Sequence, residues 1–510
     1  MRIHRVVSLF VLAVCFGTGT TFAQENLRAK VEAWTAANQR AIVTEFLDLL
    51  AIPNVAADRP NIERNATMLK TMLEKRGFRA ELLATEGNPL VWGERLVPGA
   101  TKTILIYCQF DGQPVSAKGW SQPDPFVPFV RTARMDEGGQ EVKDVRARSK
   151  FDDNWRVYAR SAADSKSPIV AFMAALDALK AIELAPTVNL RVIMDGEEEL
   201  SSPNLVPAIA KYRDKLTADV MLVFDGPMHY TDQPTLVFGA RGIQTAQLTV
   251  YGPKSGVHSG NYGNWIPNPA LRLAHLLASM KDDQGNVLVK GFYDDLVPLT
   301  REEKDMLAAI PSDDAKLLKA FGVARPERDD VSLQQAFQKP TLNIRGMQSA
   351  FIGDGARTII PDRAVAELDI RLVKETKGGT MLDRVRAHIA AQGYHIVSED
   401  PDDATRAKYT HIAKITSPRR EPTAAFRTSP LLPESRRVIA ALENVWGEPP
   451  VRIRTAGGTV PISQFIDALG FPAMLVPIVN FDNNQHEENE NVKLGALFKG
   501  IVTYAAVLRQ

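Results

Sequence analysis

Four short apolar runs constrain the fold of this chain more than any other feature. They are residues 103–108 (TILIYC), 188–194 (VNLRVIM), 220–224 (VMLVF) and 473–479 (AMLVPIV). All are rich in branched side chains, the pattern of strands buried on both faces. Between the first two, Ser167-Pro168 is followed by Ile169, Phe172, Met173, Leu176 and Leu179. A serine cap, a proline in the first turn and that spacing predict an amphipathic helix. Strands separated by helices predict an α/β domain with a largely parallel central sheet flanked by helices.

Each run leads directly into acidic or imidazole groups. The first is followed by Gln109-Phe110-Asp111-Gly112-Gln113-Pro114 and the second by Asp195-Gly196-Glu197-Glu198-Glu199. The third meets Asp225-Gly226, and the last runs on to His486. In open α/β sheets ligands bind at the carboxyl ends of the strands. Four such ends converging predict a crevice with several carboxylates and one histidine. Their mutual repulsion calls for bound cations or protonated carboxyls. Singly these signals are weak, because a glutamate run is ordinarily a solvated face and an aspartate after a strand a turn residue.

A length of 510 residues exceeds what one core ordinarily serves. An alternating strand at 243–250 (IQTAQLTV), a helix at 268–281 opened by Pro269, a strand-like run at 364–373 and a helix at 380–391 form a second unit. This predicts an α+β domain inserted at 243–425, with the first domain at 24–242 resuming at 426–510. Residues 131–153 are dense in charge and contain Gly138-Gly139, which predicts a surface insertion.

Arg2 and Arg5 precede an apolar run from Val6 to Phe16, and then Thr21-Phe22-Ala23. This is the grammar of a secretory leader spanning 1–23, and it predicts an exported, periplasmic or secreted protein. The run is too short to span a bilayer, so no stable membrane insertion is expected after cleavage. Val14 is bulky where a lipidated Cys15 wants a small neighbour. Cys108 then remains alone, without an intramolecular disulfide, and a lone cysteine ending an apolar strand is expected to be buried. With 61 basic against 60 acidic residues, there is no electrostatic case for nucleic acid.

The order and context of these segments resemble one known family, the two-metal exopeptidases that include carnosine dipeptidase, aminoacylase and glutamate carboxypeptidase. Residues 107–115 (YCQFDGQPV) resemble its H-x-D-x-x-P strand motif, and 158–168 (YARSAADSKSP) its Y-G-R-G-x-x-D-x-K-G segment. Residues 194–204 (MDGEEELSSPN) resemble E-G-x-E-E-x-G-S, and 485–490 (QHEENE) the closing H-x-x-N-E. Further matches lie at 238–242, 257–260 (VHSG), 356–361 (ARTIIP), 370–373 (IRLV) and 456–461 (AGGTVP), so the likeness spans nearly the whole mature chain. The run GFYDD at 291–295, followed by Pro298-Leu299, leans toward the carnosine-dipeptidase branch.

The resemblance implies roles residue by residue. Asp164 would bridge two divalent ions, zinc or manganese, with Glu199 and His486 on one and Asp225 on the other. Glu198 would be the general base and Asp111 would orient it or a ligand. Paired ions about 3.5–4 Å apart activate a shared water. The inserted unit would be a lid and dimerisation domain, making a homodimer in which His258 stabilises the oxyanion. Arg371 would hold the substrate carboxylate, with Thr358, Gly458 and Thr459 lining that end. The substrate implied is a dipeptide or related amino-acid amide, the alternatives being an N-acyl amino acid or a carboxypeptidase substrate.

One departure stands out. Gln109 occupies the position of the family's first metal-binding histidine, and Cys108 and Phe110 flank it. A neutral carbonyl oxygen is a poorer zinc donor than imidazole and favours harder ions such as Mn²⁺ or Mg²⁺. A weakened second ion, a one-metal enzyme and a non-catalytic metal- or peptide-binding protein all follow from it. The retention of every other member of the set favours activity.

Overall fold

Backbone pairing joins eight strands into one central sheet. Their order is Arg79–Leu83, Leu90–Arg95, Asn189–Asp195, Thr103–Gln109, Val220–Val223, Ala473–Leu475, Thr235–Val237 and Val451–Ile453. In this computed structural model residues 18–510 are described, apart from 117, 313 and 418–421, with side chains from Leu27 onward. The leader expected at 1–23 lies outside the described residues as far as position 17, and Thr18 opens a helix that runs to Leu50. Among the described residues no helix is long and apolar enough to cross a membrane.

The four apolar runs sit at the centre of this sheet. Strand Thr103–Gln109 pairs in parallel with Asn189–Asp195 on one side and Val220–Val223 on the other. Ala473–Leu475 continues in parallel beyond Val220–Val223. The first two strands and the step onto Thr235–Val237 are antiparallel. The largely parallel α/β sheet is therefore as expected, and burial on both faces is what its runs of branched residues require. The last run is shorter than its apolar pattern, stopping at Leu475, two residues before Pro477, which has no N–H to give a ladder.

Helix Ser167–Ala181 packs against Thr18–Leu50 and Leu494–Val507. Two details differ from the sequence reading. The helix is buried almost all round rather than amphipathic, because helices cover the side away from the sheet. Ser167 is not its cap: its hydroxyl is buried without a partner, and the chain enters the helix through a turn at Ala162–Lys166. The charged stretch 131–153 is likewise more than a surface insertion. Val142 and Phe151 are buried in the main core, and Arg40 donates to the carbonyls of Ala147 and Arg148. Cys108 is buried and free, as expected, and burial pushes its thiol well up.

A second sheet of five strands has its own core. Its order is Thr341–Ser349, Arg363–Leu372, Gly242–Tyr251, Ile412–Thr416 and His395–Val397. Helix Pro269–Ala278, capped by Asn268 Oδ1 accepting from Ala270 N at 2.8 Å, and helix Gly378–Ala391 pack on it. This lid sheet contains three strands that the sequence pattern did not reveal. Strand Thr341–Ser349 is almost wholly exposed and bulged after Ile344, so it carries no alternation to read.

Candidate metal centre and substrate cavity

The carboxyl ends of the central strands do converge. Gln109 ends its strand, and Asp195 leads into a short turn at Glu198–Leu200. Asp225 follows Val220–Val223, and His486 lies in the loop after Ala473–Leu475. Gln109, Glu198, Glu199, Asp225 and His486 line one cavity of about 770 Å³ together with Asp164.

Asp164 sits at its centre, 3% exposed. His486 Nε2 lies 2.9 Å from Asp164 Oδ2 and 3.6 Å from Glu199 Oε2. One donor atom from each of these three residues falls within 4.8 Å of the others, close enough to share one ion. Two carboxylates and an imidazole are the donor set of a divalent transition metal. On the other side of Asp164, Ser165 Oγ lies 3.1 Å from Oδ1 and also donates to Asp225 Oδ1. Gln109 Nε2 donates to Asp164 Oδ1 at 2.6 Å. Gln109 Oε1 is buried and has no partner, a neutral acceptor open to a cation. The residues present thus fit a divalent ion firmly on the His486 side and more weakly on the Gln109 side.

The electrostatics carry the same message. Burial raises the Glu198 carboxyl well above its usual range, and the charges of Glu199, Asp225, Asp164 and Asp111 add to the shift. Glu199 and Asp225 are raised first by burial and then by Asp164. The hydrogen bond to Asp164 raises the His486 imidazole. Crowded acids of this kind are stable together only around positive charge or with protons retained.

The loops are held from behind. Asp111, fully buried, accepts from the backbone N–H of Glu198 at 3.1 Å and of Glu199 at 3.0 Å, so it fixes the turn carrying both glutamates. Glu490 does the same for Asp164. It accepts from Arg160 Nη1 at 2.8 Å and from the N–H groups of Ser161, Ala163 and Asp164 at 2.8–3.0 Å. At Gly112 an added Cβ would lie 2.2 Å from Ser161 Oγ, so only glycine lets these two loops approach. His486 itself has φ of +66°, a left-handed conformation uncommon for histidine that places strain at the site.

Of the residues expected at the site, Gln109, Asp164, Glu198, Glu199, Asp225, His486, Arg371, Gly458 and Thr459 all line the cavity. Arg371 Nη1 donates to Thr459 Oγ1 at 3.0 Å. His258 and Thr358 stand apart: both are exposed on the lid, 3.4 Å from one another, and neither lines the cavity of its own chain. Sequence reasoning passed over four side chains that bear on the centre. Gln113 donates to Glu199 Oε2 at 2.6 Å and Gln485 to Asp164 Oδ2 at 2.5 Å, and Ser165 and Glu490 act as described. Each lay inside or beside a motif already read, Glu490 being the last residue of QHEENE.

A family model described as peptidase family M20/M25/M40 matches residues 137–510. The chain belongs to this family. The family resemblance carried by the motifs is thereby borne out, although Gln109 and Asp111 precede the matched region. The Cys-Gly metallodipeptidase of Schizosaccharomyces pombe is 27% identical over 490 residues, covering 92% of this chain and 95% of the relative. The human Beta-Ala-His dipeptidase is 28% identical over 357 residues, covering 69% and 68%. Among solved structures, the M20 family metallo-carboxypeptidase Sso-CP2 of Sulfolobus solfataricus is 27% identical, with a TM-score of 0.73 and coverage of 92% and 98%. This M20 peptidase is a metal-dependent amide hydrolase, and it shares its mixed α/β fold with that solved neighbour.

Proposed function

We propose that the protein is an exported exopeptidase that hydrolyses dipeptides or related amino-acid amides, with Glu198 as general base. The observation that carries this reading is one cavity lined both by the Asp164–Glu199–His486 donor cluster with Glu198 and by Arg371 with Thr459. Asp164, Glu199 and His486 would hold a divalent ion, which would supply Lewis acidity to the scissile carbonyl and to the attacking water. Arg371, Thr459 and Gly458 hold the free carboxylate of the substrate and set the amide over the glutamates. Glu198 takes a proton from the water as its oxygen bonds to the carbonyl carbon. It returns that proton to the amine nitrogen as the C–N bond breaks. Asp111 keeps Glu198 and Glu199 in place through their N–H groups.

Two ions per subunit are proposed, the one beside Asp225 and Gln109 weaker and shifted from zinc toward Mn²⁺ or Mg²⁺. The buried, unpartnered Gln109 Oε1 supports this. The unit is a homodimer through the lid, with His258 and Thr358 completing the partner's site as oxyanion and substrate contacts. That neither lines the cavity of its own chain supports this, as do the exposed apolar side chains Trp265, Ile344, Met347, Phe351 and Ile352 on the lid. Export rests on the leader grammar of residues 1–23.

The test is a screen of dipeptides, N-acyl amino acids and longer peptides against protein stripped of metal and reloaded with Zn²⁺, Mn²⁺ or Mg²⁺. Dipeptide cleavage that vanishes on chelation and returns with metal is the expected result. Preference for N-acyl amino acids or for longer peptides moves the assignment to an amidohydrolase or carboxypeptidase. Metal binding without cleavage of any of them leaves a binding protein.

A further inference from the structure

Residues 299–338 leave the lid after helix Pro269–Ala278 and return to it at strand Thr341–Ser349, but their body lies on the catalytic domain. Leu307 and Ile310 pack with Leu299, Val451 and Ile453. Just beyond that strand, Arg454 pairs with Glu303 at 2.7 Å, and Gln338 Oε1 accepts from Arg454 at 2.5 Å and from Thr455 at 3.3 Å. The same stretch of chain continues into Gly458 and Thr459, so this cap is bolted to the loop that meets the substrate.

The cap is built rather than loose. Its helices at Arg301–Ala308 and Leu333–Ala336 both start with a capping box, at Thr300/Glu303 and Ser332/Gln335. Asp314 Oδ2 accepts from Leu333 N at 3.1 Å, tying its second and third helices together. To the cavity it presents Leu307, Ile310, Leu317, Leu333 and Phe337, with Asp314 among its polar lining, and Lys316 Nζ stands 5.9 Å from the centroid of the Tyr230 ring. Tyr230 and Phe481, which meet edge to face at 6.5 Å, line the same cavity, on the chain segments that follow Asp225 and precede His486. Leu333 is 40% exposed and Phe481 47% exposed, so apolar surface here stands open beside the metal donors.

We infer that this roof is a side-chain pocket for the residue on the amino side of the scissile bond, and that the substrates are dipeptides whose first residue is large and apolar. The inference rests on the peptidase reading of the same site. With the carboxylate on Arg371 and Thr459 and the amide at Glu198, the cavity under Leu317 and Leu333 beside Tyr230 and Phe481 is what remains for that residue. A cavity of about 770 Å³ is far larger than a glycine dipeptide fills, and most of its open surface is apolar. Covering it with a leucine or phenylalanine side chain gains about 10–100-fold over glycine.

The experiment compares Phe-Gly and Leu-Gly with Gly-Gly, in turnover by the metal-loaded protein and in calorimetric binding to metal-loaded Glu198→Gln protein. Preference of about 10–100-fold for the apolar peptides is expected in both readouts. In Leu317→Ser/Leu333→Ser the preference falls toward unity, and in Leu317→Met/Leu333→Met it is retained. Both positions are partly exposed, so folding is not at stake. Equal binding of Gly-Gly and Phe-Gly, or a preference untouched by the serine pair, overturns the inference. Selective binding without turnover supports the pocket and sinks the peptidase reading instead.

Discussion

Removing the charge of Glu490 tests how the bridging aspartate is held. The carboxylate is 1% exposed and its Arg160 partner 4%, and it accepts four hydrogen bonds, three of them from the turn that carries Asp164. In Glu490→Gln the guanidinium stays buried with its charge uncompensated, and its Nε already lacks a partner. Breaking a buried pair from one side costs about 3–5 kcal/mol, and the donors facing the new amide nitrogen add to that. The metal-free protein should therefore unfold at markedly lower urea. Ion affinity should fall about 10–100-fold, as for groups that hold a ligand from behind. Adding Arg160→Met removes the orphaned charge and should recover part of the stability but not the affinity, because on whichever side the amide nitrogen sits at least one N–H of the Asp164 turn faces a donor instead of an acceptor. A single variant with an unchanged urea midpoint and metal affinity within about threefold of the parent would refute the reasoning.

Other outcomes follow from the same geometry. Gln109→His should raise zinc affinity at the Asp225 side, measured by titration, whereas two equally tight zinc ions in the unmodified protein contradict a weakened site. Burial alone would raise the Asp482 carboxyl, but hydrogen bonds from Arg156 and Asn480 hold it well below its usual value. A depressed carboxyl stabilises the fold above its unfolded pKa of about 3.9 and loses that contribution as pH falls through the folded value. Asp482→Asn should thus cost about 1 kcal/mol at pH 6, after solvent screening, and in urea unfolding the gap should begin to narrow below about pH 4 and go on shrinking toward the depressed folded value. Mixing inactive His258→Ala with inactive Glu198→Ala subunits should restore part of the activity, and no recovery despite proven subunit exchange argues for action within one chain.

Much of this architecture was legible because buried parallel strands write themselves as short branched runs, and because the ligand positions follow those runs directly. Asp225 and His486 needed little beyond their place after a strand. Strand Thr341–Ser349 was invisible because eight of its nine residues are not buried, so burial imposed no period on it. Ser167 misled because a serine before proline is the common helix entry, while here the turn that carries Asp164 delivers the chain instead. The charged stretch 131–153 hid Val142 and Phe151 among its polar residues. Asp111 was expected to orient the base or a ligand, and its contacts are to the backbone N–H groups of Glu198 and Glu199 and not to their side chains, a detail that residue type does not announce. The cap at 299–338 left no trace in a reading that looked for strands and acids.

The most direct test of the account is the turnover of Glu198→Gln with metal content measured on the same sample. Substrate must saturate and the ions must be shown to be present at parental stoichiometry. Loss of general-base transfer predicts a kcat about 100- to 10,000-fold lower on a dipeptide that the parent cleaves. A near-parental kcat at full metal loading would contradict it, and the proton would then have to leave the water through some other group in the cavity.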